Sequence, residues 1–183
     1  MRTQLKKRPE RGGLLDQCLK AFVEAGTLDL SLDQLSREVG ISKRMLVHYF
    51  GGRESIEHGA MERLENRLRA QFSPAAFPAD LSREAVVMAL WERATAPESK
   101  GVLLLVMDVS RRAWSGSRRA RAFYAEQQRL WVQLLLKFIP DRSIVEEVLQ
   151  LFQGAVLGYL VTGDRELGRR ALKRVLSMHK TNR

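Results

Sequence analysis

The sequence predicts an all-α protein, and three observations carry the prediction. Apolar residues recur at i, i+3, i+4 and i+7 along most of the 183 residues. No stretch alternates with the period of two that a half-buried strand requires. Pro74, Pro78, Pro97, Pro140 and the Ser115-Gly116-Ser117 break fall between the periodic segments, where they end helices without interrupting them.

Taken in order, Leu15, Cys18, Leu19 and Phe22 predict a first helix over 13–25. Ser31 and Gln34 have capping-box spacing, in which each residue ties up one free backbone N–H at a helix start. Leu32, Leu35 and Val39 mark the apolar face of the helix that follows, and Gly40 suits the left-handed residue that ends it. Ile41 drops back to the core, and Ser42 is placed to cap a short helix over 43–49. Ile56, Ala60, Leu64, Leu68 and Phe72 then recur every four residues and predict a long helix over 53–72. Further helices are predicted over 81–95 and 98–114. The apolar run Val102–Met107 is read as helix because its character continues through Val109, Ala113 and Trp114. Ala120, Phe123, Tyr124, Gln127, Leu130, Trp131, Leu134 and Phe138 draw the next stripe. Ser143 and Glu146 form a second candidate capping box, opening a helix to about Thr162, and Gly163 separates it from a last helix over 164–178.

Two short helices joined by a tight turn, the second opening on Lys43, Arg44 and Met45, form a helix-turn-helix. A short helix with a basic, hydrogen-bonding first turn suits a DNA major groove. Lys43, Arg44 and Met45 are the candidate base-edge readers, since Arg pairs with guanine O6/N7 and an apolar side chain with the thymine methyl. His48 is a candidate for a base or a phosphate. Ser31, Ser42, Tyr49 and Arg53 complete the candidate DNA-binding set, with Ser31, Tyr49 and Arg53 as phosphate contacts that fix position.

From Leu15 to Ile56 the chain resembles the tetracycline-repressor (TetR) family of bacterial transcription regulators. Phe22 and Gly26 close the first helix as in that family, and Val39-Gly40-Ile41-Ser42 matches its Ala-Gly-Val-Ser turn. Leu46, His48-Tyr49-Phe50, Arg53-Glu54 and Ile56 follow its recognition-helix ending without a gap. The departures are Thr27 for an aromatic, Arg44 for a small residue, Val47 for a phosphate-binding Tyr, and Gly51-Gly52 for Pro-Ser. The resemblance implies a ligand-responsive regulator, a repressor by preference, that binds a palindromic operator as a homodimer. It divides the chain into a basic arm and helix-turn-helix domain (1–52), a connecting helix (53–72) and an effector-binding and dimerisation domain (73–183). The competing reading is a helical small-molecule sensor or oligomeric scaffold with a degenerate head, for which Val47 and Thr27 speak.

The segment from Ile144 to Val161 is apolar on nearly all faces, and a helix apolar all round must be buried all round. A second subunit supplies that cover, because the family dimerises through its last two helices; an internal core helix is the alternative. Val148, Leu149, Phe152, Ala155, Val156, Tyr159, Leu172 and Val175 are the candidate interface residues. For the unknown small-molecule effector implied by the resemblance, Met88, Trp91, Met107, Trp114, Tyr124 and Trp131 are the candidate contacts.

The net charge of +10 suits a polyanion, yet its distribution is uneven. Up to Phe72 there are 13 Lys and Arg against 10 Asp and Glu, leaving 18 against 11 beyond it. The arm residues Arg2, Lys6, Lys7, Arg8 and Arg11 read either as a solvated tail or as a phosphate or minor-groove clamp. Arg111, Arg112, Arg118, Arg119 and Arg121 read as a solvated rim, an auxiliary DNA contact or a site for an acidic effector. No nucleophile–base pattern, phosphate-binding loop or cysteine cluster is present, so neither an enzyme nor a cofactor is expected. Glu54, His58 and Glu62 share a helix face and read as solvated rather than metal-binding. The single Cys18 lies at core spacing. No purely apolar run reaches the roughly 18 residues of a membrane span, and a cytoplasmic location without membrane attachment is predicted.

Overall fold

The computed structural model describes residues 10–77 and 81–179. Nine α-helices run in chain order among the described residues: α1 (Arg11–Ala25), α2 (Leu32–Val39), α3 (Lys43–Phe50), α4 (Arg53–Ala70), α5 (Arg83–Ala94), α6 (Lys100–Trp114), α7 (Arg118–Leu135), α8 (Arg142–Thr162) and α9 (Arg165–Met178). Short 3-10 turns at Pro74–Ala76 and Pro97–Ser99 flank α5. The all-α expectation holds, and Val102–Met107 lies inside α6.

Local chemistry accounts for most ends. Ser31, Ser42, Ser82, Ser117 and Asp164 each accept a backbone N–H in the first turn of α2, α3, α5, α7 and α9 respectively. At Ser31 both halves of the box form, with Gln34 Oε1 accepting from the Ser31 N–H at 2.8 Å. One predicted cap is corrected. The N-cap of α8 is Asp141, whose carboxylate accepts from the N–H groups of Ser143 and Ile144. A carboxylate two residues upstream outcompetes the Ser143 hydroxyl, and Glu146 turns to Arg142 instead. The bonds to Ser143 and Ile144 hold the Asp141 carboxyl below the usual carboxylate range.

The buried apolar residues form two cores. The first joins Leu14, Cys18, Phe22, Leu35, Leu46, Phe50, Ile56 and Leu64 of α1–α4, and it also takes in Leu105 and Val109 of α6. The head is therefore seated on α6 by shared apolar burial. Gly101 makes this seat close, since a Cβ there would run into the Val23 carbonyl of α1. Burial pushes the Cys18 thiol up to about 11, which leaves it inert as a nucleophile. The second core holds Val86, Trp91, Leu135, Val145, Val148, Val156, Leu172 and Leu176 of α5 and α7–α9, with Ile139 of the α7–α8 connection.

Candidate nucleic-acid interface

The surface opened by α2 and α3 follows from which residues the first core consumes. Leu46 and Phe50 are buried, so the opposite side of α3 is presented outward. Arg44 and His48 are exposed and Met45 is half-buried on this face. Arg44 makes no hydrogen bond or ion pair among the described residues. Lys43 donates to the Asp33 carboxylate of α2 at 3.1 Å, an exposed pair that a phosphate or base can displace. Ser31 and Ser42 use their oxygens as cap acceptors, and each hydroxyl hydrogen remains free to donate outward.

Two expected phosphate contacts sit differently. The Tyr49 hydroxyl is buried and has no hydrogen-bond partner, and its ring packs edge-on against His48 at 5.6 Å. A phosphate bond through that oxygen requires the ring to turn outward. Arg53 opens α4 as expected, but its guanidinium donates to Glu57 at 2.6 Å, to the Leu28 carbonyl and to Asp29 at 3.2 Å. It ties the α1–α2 connection to α4 and is not a free phosphate donor. Of the basic arm, Arg2, Lys6, Lys7 and Arg8 lie outside the described residues; Arg11 stacks over the Phe50 ring, 5.7 Å from its centroid.

Between the head and α6 lies a charged junction that sequence reasoning missed. Asp108 of α6 is buried and accepts from the Leu28 N–H at 3.1 Å, from Arg111 at 2.6 Å and from Arg112 at 3.2 Å. Arg111 and Arg112 also reach Asp29, and Arg112 reaches Glu57 at 2.9 Å. Burial pushes the Asp108 carboxyl up, but the bonds from Arg111 and Leu28 and the two guanidinium charges outweigh it and hold the group below its ordinary value. The legible signal was a lone carboxylate within the apolar stripe of α6, followed three and four residues later by arginines. A cleft of about 190 Å³ opens beside this junction, lined by Glu54, Glu57, His58, Met61, Arg112 and Phe123 among others.

The solved structures that this chain resembles include a transcriptional regulator from Rhodococcus sp. Rha1, with a TM-score of 0.76 at 13% identity over 93% of this chain and 95% of that one. A TetR-family transcriptional regulator from Streptomyces coelicolor superposes with a TM-score of 0.72 at 18% identity, over 93% of this chain and 80% of that one. The fold is that of the TetR family. Among curated proteins, the HTH-type transcriptional regulator SrpR of Pseudomonas putida is 22% identical over 178 residues, 93% of this chain and 82% of its own length. HTH-type regulator BetI of Brucella anthropi is 28% identical over 76 residues, 42% of this chain and 39% of its own. No protein-family model matches the chain.

In the body of this TetR-type fold, none of the six candidate effector contacts lines the junction cleft. Trp91 is fully buried, its indole N–H lacks an acceptor, and it packs edge-on against Phe152 and Tyr159. Trp131 donates to Glu65 at 3.0 Å, and Tyr124 donates to Gln153 at 2.8 Å. Burial outweighs that Trp131 bond and the Arg69 charge, so the Glu65 carboxyl is pushed above its ordinary value. Met88 and Met107 border the second core, whereas Trp114 is 88% exposed at the C-terminal end of α6.

The interface candidates divide in the same way. Val148, Val156 and Leu172 are consumed by this chain's own core. Leu149, Phe152, Ala155, Tyr159 and Val175 are half-buried. Leu157, Val161, Leu167 and Met178, outside the candidate set, are the exposed apolar residues of these helices. By length and composition α8 is long and apolar enough to cross a membrane, with a mean hydropathy of 1.4, although only 22% of that stretch is buried. Glu54, His58 and Glu62 do not converge: His58 meets Glu62 at 3.3 Å while Glu54 goes to Arg119. No group of three or more His, Cys, Asp or Glu is disposed to hold a metal among the described residues.

Proposed function

We propose that this chain is a DNA-binding transcriptional regulator, a repressor that grips a palindromic operator as a homodimer and is released by a small-molecule effector. The observation that carries this reading is the outward face of α3: Arg44 free of any partner among the described residues, Met45 and His48 beside it, and two capping serines with hydroxyl hydrogens to spare. That face is short, cationic at its start and backed by Leu46 and Phe50 in a rigid core, which is what insertion into a major groove demands. SrpR and BetI, similar in sequence to most of the chain and to 76 residues of it respectively, are named HTH-type transcriptional regulators, which supports the same reading.

A twofold dimer sets two such helices about 34–36 Å apart, or a multiple of that, so the operator reads as an inverted repeat. The exposed face of α8 and α9 supports dimerisation: Gly154 and Gly158 have open space where a Cβ would stand, and Leu157 and Val161 flank them. Release by an effector is supported by the junction, where Asp108, Arg111 and Arg112 of α6 hold Leu28, Asp29 and Glu57 of the head. A ligand that shifts α6 or α4 would change the pose of the head. Selection of bound sequences from random duplex DNA tests the reading. Recovery of an inverted repeat is the expected result; no enrichment over the input pool overturns it.

A further inference from the structure

Building on the regulator reading, we infer that the α6–α7 turn is a second DNA contact, gripping the phosphate backbone of the duplex beside the bases that α3 reads. The geometry begins with α7 lying parallel to α4. Arg119 meets Glu54 at 3.1 Å, Phe123 meets His58 edge-on at 5.7 Å, and Trp131 meets Glu65 at 3.0 Å, so residue numbers rise together along both helices. The first turn of α7 is therefore level with the first turn of α4, which itself begins three residues beyond the end of α3. The turn thus sits at the end of the molecule that carries the recognition helix.

Its charges are not all spoken for. Arg111, Arg112 and Arg119 neutralise Asp29, Asp108, Glu57 and Glu54, the acids that would otherwise repel a duplex here. Arg118 has no partner among the described residues, and Arg121 donates only to the Ala113 carbonyl at 3.4 Å. Both are exposed, three residues apart on one face of α7, with Trp114 88% exposed at the adjoining end of α6. Two uncompensated guanidinium groups beside an open tryptophan fit phosphate and sugar better than base edges, so the contact adds affinity without sequence preference. It also gives a use to part of the positive surplus that lies outside the head.

The test uses a duplex selected by the full chain, prepared in two lengths: trimmed to the selected bases, and extended by arbitrary flanks. Arg118→Ala/Arg121→Ala is expected to weaken binding to the extended duplex and to flatten its dependence of log K on log salt, by about 0.9 for each guanidinium that meets a phosphate. Binding to the trimmed duplex is expected to change little. Trp114 supplies an independent readout, since Trp91 is fully buried and Trp131 half-buried. Acrylamide quenching should fall on the extended duplex and not on the trimmed one. Equal salt slopes for wild type and double variant on the extended duplex would overturn the inference. So would loss of binding to phosphatidylserine-containing vesicles in place of duplex, which would assign the turn to a membrane surface. Failure of the regulator reading is distinguishable, because the wild-type chain would then bind neither length.

Discussion

Arg44 and Arg53 show how similar residues nine positions apart take different work. Arg44 has no partner among the described residues, so on the proposed reading its truncation is expected to cost the fold little and DNA binding much. Arg44→Ala is expected to lose about 1–3 kcal/mol of discrimination at one base pair, measured by binding to an operator series mutated one position at a time. A uniform loss across the series would make Arg44 a phosphate contact. Arg53 holds the Leu28 carbonyl, Asp29 and Glu57 together. Arg53→Ala should therefore destabilise the head itself, by about 1 kcal/mol given its partial exposure. Chemical denaturation reads that loss directly, and unchanged stability with weakened DNA binding would return Arg53 to the phosphate set. The spacing that named both residues carries no information on which carboxylates fold back onto them.

The helices themselves were legible because their signals are local: apolar period, capping serines, glycine at φ +64, +71 and +75 ending α1, α2 and α8. The Asp141 cap escaped because two acceptors compete for the same N–H groups and pattern alone does not rank them. The α6 junction escaped for a different reason, since Asp108 and its partner Leu28, like Arg111 and its partner Asp29, are about eighty residues apart in the chain. Asp108→Asn keeps an acceptor for Leu28 but removes the charge that Arg111 and Arg112 hold, and a loss of about 1–2 kcal/mol is expected. Because the folded-state carboxyl titrates below its ordinary 3.8, its contribution is present above that pH and disappears as pH falls through the folded value. The gap in thermal midpoint between wild type and variant should stay constant from neutral pH to about 4 and close in stronger acid. A gap that closes above pH 5 would mean that the charge of Asp108 is not what holds α6 to the head.

For the whole molecule, the deciding question is what covers α8 and α9. The sequence argument that α8 is apolar all round was half accounted for inside the protomer, where Val145, Val148 and Val156 face the second core. The other half stays open, with Leu157 53% and Val161 77% exposed, and on α9 Leu167 is 56% and Met178 63% exposed. Burial of a large aliphatic side chain contributes roughly 1.5–3 kcal/mol, so leaving four of them in water forgoes several kcal/mol that a second copy would recover. A charge placed there has the opposite effect on association and almost none on the protomer core. Leu157→Glu/Val161→Glu is expected to leave helix content unchanged and to shift the sedimentation species from dimer to monomer. Because each monomer then brings one α3 to the duplex, affinity for an inverted repeat should drop to that for a single half-site. A double variant that sediments as wild type would place the dimer contact elsewhere on the body. A wild-type chain that is monomeric at micromolar concentration would remove the symmetry on which a palindromic operator depends.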